Sequence, residues 1–207
     1  MKKVLCFGDS NTYGFIPTTG GRYDKNTRWC GVLQKLLSDK FQIIEEGCNN
    51  RTGFSDNAAG LDQTGYRILP LILDKYSEID VVIIAIGIND LQFFYQTDAK
   101  KIEAGMENLV DIVKQKFADA KIVIVAPSVI TKDILTSGFS AMFDENSIEK
   151  SKMLAEIYEK VAKSNDAFFV DLNKVAKVSK TDGLHYEPQE HLKIAETMAK
   201  ILVERFC

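Results

Sequence analysis

Nothing in the sequence marks a zinc site or a thiol redox motif. The chain has four cysteines, Cys6, Cys30, Cys48 and Cys207, and no two stand at CxxC spacing, which argues against both. A reducing cytosol would keep them as thiols, and Cys6, inside an apolar run, reads as a small core residue. There is no surplus of basic charge. Lys and Arg number 26 against 29 Asp and Glu, for a net charge of -3, so a nucleic-acid binder working through a basic face is not expected. Long hydrophobic runs are also missing. The longest, Val81 to Ile86, is far short of the roughly 20 residues that a membrane-spanning helix needs. The apolar run behind Lys2 and Lys3 stops at Phe7, too short for a signal peptide, and the expected location is the cytoplasm. Internal repeats, linkers and low-complexity tracts are absent too, so one domain over residues 1–207 is expected.

What is present is an alternation of strands and helices. Lys3 to Phe7 reads as a first strand and Phe41 to Ile44 as a second. Asp80 to Ile86, apolar on both faces, reads as a central parallel strand. Lys121 to Ala126, stopped by Pro127, and Ala167 to Val170 complete the set. Helical spacing of apolar residues predicts helices around Trp29 to Leu37, Gly60 to Tyr76 and Asp98 to Phe117. Pro70 is expected to kink or restart the second of these. One helix is predicted over Ser147 to Ser164, capped by Asn146 or Ser147, and another over Pro188 to Phe206. Val129 to Asn146 reads as irregular. Strands alternating with helices through short links predict an α/β fold, a three-layer α/β/α sandwich. Its parallel five-stranded sheet would take the flavodoxin-like order 2-1-3-4-5.

That order puts polar residues from distant parts of the chain on one rim. Ser10 follows strand one, Asn89 follows strand three, Asn50 lies in the loop after strand two, and Asp182 and His185 lie beyond strand five. Ligand crevices open at such carboxyl ends. Taken alone, Asp9-Ser10-Asn11 fits a helix cap as well as it fits a nucleophile. Asn89-Asp90 fits plain turn chemistry, and Asp182 and His185 fit a cap on the last helix. Taken together, they form a set suited to acyl transfer. A serine hydroxyl needs a general base. His185, one of only two histidines, can supply it, and Asp182 can orient the imidazole. The Asn89 amide, with the backbone N–H groups of Ser10 and Asn50, can hold an oxyanion. The other histidine, His191, reads as a partly exposed surface residue of the last helix.

Two other readings use the same residues. Asp9, Asp90, Asp182 and His185 could ligate a metal in a phosphoesterase, although they lack a recognised two-metal spacing. Alternatively, Gly8 to Thr12 could cradle an anion in a non-catalytic flavodoxin-like module.

The ordered motifs resemble those of the SGNH, or GDSL, hydrolases. Phe7-Gly8-Asp9-Ser10 resembles the GDS block, Gly87-Ile88-Asn89-Asp90 the GxND block, and Asp182-Gly183-Leu184-His185 the DxxH block. The resemblance implies ester hydrolysis through an acyl-serine, with neither metal nor organic cofactor. Ser10 would be nucleophile, His185 base, Asp182 its orienting acid and Asn89 an oxyanion donor. One block departs from the pattern, because Asn50 stands where a glycine is usual. A backbone donor needs no particular side chain, and asparagine tolerates a left-handed backbone better than most residues. Gly47 or Gly53 would be the alternative shapers of that turn. Arg28-Trp29 and the Glu45-Glu46-Gly47 run resemble the arylesterase and acyltransferase branch, which implies a homo-oligomer and small or medium acyl esters as substrates. Hydrolysis and transfer to an alcohol both fit. Ile88, Phe93 and Phe139, with Phe94, Tyr95, Met142 and Phe143, are the expected apolar lining of an acyl pocket or a subunit contact.

Overall fold

The computed structural model describes residues 1–206; Cys207 lies outside them. Its centre is a five-stranded sheet in the order β2-β1-β3-β4-β5, all parallel. The strands are β1 (Lys2–Gly8), β2 (Phe41–Gly47), β3 (Val81–Ala85), β4 (Lys121–Ala126) and β5 (Phe168–Asp171). The helices are α1 (Ser10–Tyr13), α2 (Trp29–Leu36), α3 (Gly65–Leu73), α4 (Ala99–Lys116), α5 (Glu145–Ser151), α6 (Leu154–Ser164) and α7 (Pro188–Phe206). The result is the three-layer α/β/α sandwich.

The layers follow from the period-two alternation of strand side chains. Leu5, Phe7, Val82 and Ile84 share one core with Leu69 of α3, Met106 of α4 and Tyr158 of α6. Val4, Cys6, Ile83 and Val125 share the opposite core with Cys30 and Leu33 of α2 and with Ile194 and Met198 of α7. A central strand buried on both faces must be apolar at every position, and Val81 to Ile84 are. Each such side chain contributes roughly 1.5–3 kcal/mol on burial. No helix among the described residues is long and apolar enough to cross a membrane.

Strand β2 runs beyond Ile44, through Glu45 and Glu46 to Gly47. It is an edge strand, so polar residues are admissible. The Glu45 carboxylate accepts from Arg28 Nε at 2.6 Å and Nη2 at 3.1 Å, fastening the start of α2 to this edge. Helix α3 is shorter than its apolar spacing suggests and passes through Pro70 as one segment. The residues before it are committed to the loop after β2. Thr52 N–H donates to Gln63 O at 2.9 Å, and Thr64 Oγ1 accepts from Asn57 N–H at 3.0 Å. The helix expected over Ser147 to Ser164 is two, α5 and α6, parted at Lys152 and Met153. Its start is capped by Asp144, with Ser147 completing a reciprocal capping box. Near the break, Ser151 Oγ donates to Ile148 O at 2.6 Å and accepts Ile130 N–H at 3.1 Å. That side chain ties the last turn of α5 to the segment after β4. This segment, expected to be irregular, holds short 3-10 turns at Lys132–Thr136 and Gly138–Ala141.

Candidate active site

The turn after β1 has a dual construction. Asp9 caps α1 by accepting Asn11 N–H at 2.9 Å, and Ser10 opens the helix. Cap and hydroxyl therefore coexist on adjacent residues. Asp9 is buried, and burial pushes its carboxyl up to about 7, against the lowering effects of Asn11 N–H and Arg51.

Across the rim, Asp182 begins a tight turn. Its Oδ1 accepts Leu184 N–H and His185 N–H, each at 3.0 Å. Gly183 sits at φ +70°, and a Cβ there would stand 2.5 Å from the Ile134 backbone nitrogen, so only glycine fits. The turn returns the His185 ring over its own carboxylate, with Nδ1 to Asp182 Oδ2 at 2.7 Å. The other ring nitrogen, Nε2, lies 2.9 Å from Ser10 Oγ. Burial alone would raise the Asp182 carboxyl. Its bond to His185, the electrostatic attraction of that ring and the two backbone N–H groups hold it below its usual value. The imidazole packs against Phe15, ring centres 4.2 Å apart, and Phe139, 5.2 Å apart. That packing restricts the ring's rotation.

Opposite the hydroxyl lies the loop after β2. Gly47 ends the strand where a Cβ would stand 2.2 Å from Tyr13 N, so the loop and α1 meet backbone to backbone. Asn50 takes the left-handed conformation at φ 58°. The next turn of this loop is held by Asp90, whose Oδ2 accepts Gly53 N–H at 2.5 Å and whose Oδ1 accepts Phe54 and Ser55 N–H at 2.9 and 2.8 Å. Burial still pushes this carboxyl up to about 6. Asn89 Nδ2 donates one hydrogen to Arg51 O at 3.1 Å, leaving the other free. Among the described residues, neither Ser10 N–H nor Asn50 N–H has a protein acceptor.

Ser10, Asn50, Asn89 and His185 line one cavity of about 270 Å³, with Phe15, Asn49, Phe139, Met142 and Leu184. A larger depression, of about 610 Å³, lies by the amino ends of β1, β3 and β4 and touches none of these groups. Of the expected apolar lining, Phe139 and Met142 face the cavity. Ile88 does not, since it is packed in the core. Phe93 is also outside it, 45 % exposed and edge-on to Phe94 at 5.5 Å. Phe15, Asn49 and Leu184 were not anticipated, although Phe15 follows Ser10 by only five residues. Asp90 and Asp182 spend their oxygens on backbone and imidazole. Among the described residues, no three His, Cys, Asp or Glu side chains converge as a metal site.

His191 corrects an expectation. It is fully buried, not partly exposed, because α7 turns this face onto α2. Its Nδ1 accepts Trp29 N–H at 3.3 Å, and burial, with a smaller electrostatic contribution from His185, pushes the ring down to about 4.

Residues 6–192 match the model of the GDSL-like lipase/acylhydrolase family. The chain belongs to this family. Among solved structures it is similar to Est24, a carbohydrate acetylesterase from Sinorhizobium meliloti (29 % identity, both chains covered over 100 %, TM-score 0.92). It is similar as well to the aryl esterase of M. smegmatis (27 % identity, 99 % of each chain, TM-score 0.91). A carbohydrate acetylesterase family member from Sinorhizobium meliloti shares 31 % identity over 99 % of this chain and 98 % of that one, with a TM-score of 0.89. No curated protein sequence matches it. Family and neighbours make the chain a carboxylic ester hydrolase of the serine type.

Proposed function

We propose that the enzyme hydrolyses small or medium acyl esters through an acyl-enzyme on Ser10. The observation that carries this reading is the unbroken chain from Asp182 through His185 to Ser10, at 2.7 and 2.9 Å. His185 Nε2 takes the Oγ proton as Oγ attacks the acyl carbonyl carbon. The imidazolium so formed is stabilised by the Asp182 carboxylate, which stays ionised. The tetrahedral oxyanion is held by Ser10 N–H, Asn50 N–H and the free hydrogen of Asn89 Nδ2, each a donor without a competing protein partner. Such a donor is worth about 2.7–4 kcal/mol in the transition state. The proton passes from His185 to the leaving alkoxide and the C–O bond breaks. Water, activated by the same base, then releases the acid; an alcohol in its place would accept the acyl group.

The cavity of about 270 Å³ suits a short acyl group, and Phe139 and Met142 would bound it. A neighbour named as a carbohydrate acetylesterase supports the same size class. Replacing Ser10 by Ala should abolish turnover of an aryl acetate with the melting temperature unchanged. Near wild-type turnover in that variant would overturn the assignment.

A further inference from the structure

Gln92 lies outside every motif, yet its side chain joins the two asparagines of the cavity. It is 1 % exposed. Its Nε2 donates to Asn50 Oδ1 at 2.8 Å and to Asn89 Oδ1 at 3.2 Å. Both amide hydrogens are thereby used. Its Oε1 has no partner among the described residues. A buried amide with an unmatched oxygen is unfavourable for stability, while its donor capacity is used wholly on these two acceptors. The amide cannot be turned around, because Oε1 would then face two carbonyl oxygens.

We propose that Gln92 is a positioning residue that sets both asparagines of the oxyanion site at once. The inference rests on the oxyanion roles proposed above for Asn50 and Asn89. With Oδ1 of Asn89 held by Gln92 and one Nδ2 hydrogen on Arg51 O, the second Nδ2 hydrogen has only the cavity left to face. A rotated Asn89 would present a carbonyl to the oxyanion. On the other side, Asn50 is held at both ends: its Oδ1 by Gln92 and its backbone carbonyl by Asn57 Nδ2 at 2.7 Å. Glycine at position 50 would adopt the same left-handed backbone but would lack the anchor. The asparagine at this left-handed position and the presence of Gln92 are thus one feature. Glycine's backbone freedom is exchanged for a side chain pinned in the productive conformation.

The test compares Gln92→Met and Gln92→Glu with wild type and with Asn89→Ala, using aryl acetate turnover and inhibition by an aryl trifluoromethyl ketone, which mimics the tetrahedral adduct. Loss of one oxyanion donor lowers kcat by about 10²–10³, and Asn89→Ala should fall in that range. Gln92→Met keeps the length but removes the donor. Its kcat should drop about 10- to 100-fold, below the loss of a whole donor, with KM little changed and ketone affinity falling in step with kcat/KM. A merely structural role would lower the melting temperature and leave the folded enzyme's kcat and ketone affinity alone. The Gln92→Met effect should shrink in an Asn50→Gly background, where one of its two acceptors is gone. Gln92→Glu, of the same shape, should recover activity relative to wild type as pH falls, because protonation restores one donor. Unchanged kcat and ketone affinity in Gln92→Met, or a flat pH ratio in Gln92→Glu, would overturn the inference while Asn89→Ala still upheld the oxyanion site. Wild-type kcat in Asn89→Ala would instead remove the reading on which it rests.

Discussion

Replacing Asp182 by Asn isolates one property of the site, the tautomer of His185. The carboxylate has two separate duties. Oδ1 holds Leu184 N–H and His185 N–H at 3.0 Å each, and Oδ2 holds the ring at 2.7 Å. Asparagine has one acceptor oxygen. The two backbone donors claim it, since neither can rotate away, and the NH2 group is left facing His185 Nδ1. Nδ1 must then become the acceptor, so the neutral ring carries its proton on Nε2. From there it donates toward Ser10 Oγ and cannot remove the Ser10 proton. In a Ser-His-Asp arrangement this reversal lowers kcat by about 10⁴, which corresponds to roughly 5 kcal/mol in the barrier. The fold should change little, because the turn keeps both backbone bonds. Losing the charge-assisted bond to the ring costs about 1.5–3 kcal/mol, or a melting shift of roughly 3–12 °C at this chain length. The assay is kcat on an aryl acetate alongside thermal melting. A kcat within tenfold of wild type in the folded variant would refute the tautomer argument. A variant that fails to fold would refute the claim that the amide oxygen keeps the turn.

His191→Asn should change how stability depends on pH. The asparagine oxygen keeps an acceptor for Trp29 N–H, while the variant no longer titrates. The folded ring is pushed down to about 4 against an unfolded value near 6.5. The unfolded state therefore binds the proton more tightly, and wild type should lose about 2 kcal/mol between pH 7 and pH 5 that the variant does not. Asp9 and Asp90 titrate in the opposite sense in both proteins and cancel in the comparison; equal pH slopes from chemical denaturation would contradict the burial argument. Gly47→Ala would put a methyl group 2.2 Å from the Tyr13 backbone nitrogen. Such overpacking costs about 1–3 kcal/mol, so an unchanged melting temperature would show that the contact of the β2 loop with α1 is looser than described.

The sheet was legible because its signal is local. Val81 to Ile84 are apolar on both faces, and Val4 to Phe7 split between two cores by simple alternation, so strand positions and their order followed from short stretches and connection rules. Ser10, Asn89, Asp182 and His185 could be gathered on one rim for the same reason, since topology alone delivers strand ends to one crevice. Features that depend on which way a helix faces, or on one side chain reaching another, were not legible. His191 looks like a surface residue along the sequence and is buried by the packing of α7 on α2. Ile88 belongs to the Gly87–Asp90 block but points into the core, while Phe15 reaches the cavity from a loop without periodicity. The break between α5 and α6 lies beside Ser151, which bonds to the distant Ile130. Gln92 carries no motif, and one of its two partners, Asn50, stands 42 positions earlier in the chain.

The most direct test of the account is covalent trapping. The enzyme is treated with a fluorophosphonate, its intact mass is measured, and the labelled peptide is sequenced. One adduct per chain, on Ser10, is expected, with none in Ser10→Ala and slow labelling in His185→Ala, where no base removes the proton. An adduct on another residue, or undiminished labelling of Ser10→Ala, would contradict the assignment of Ser10 as the nucleophile.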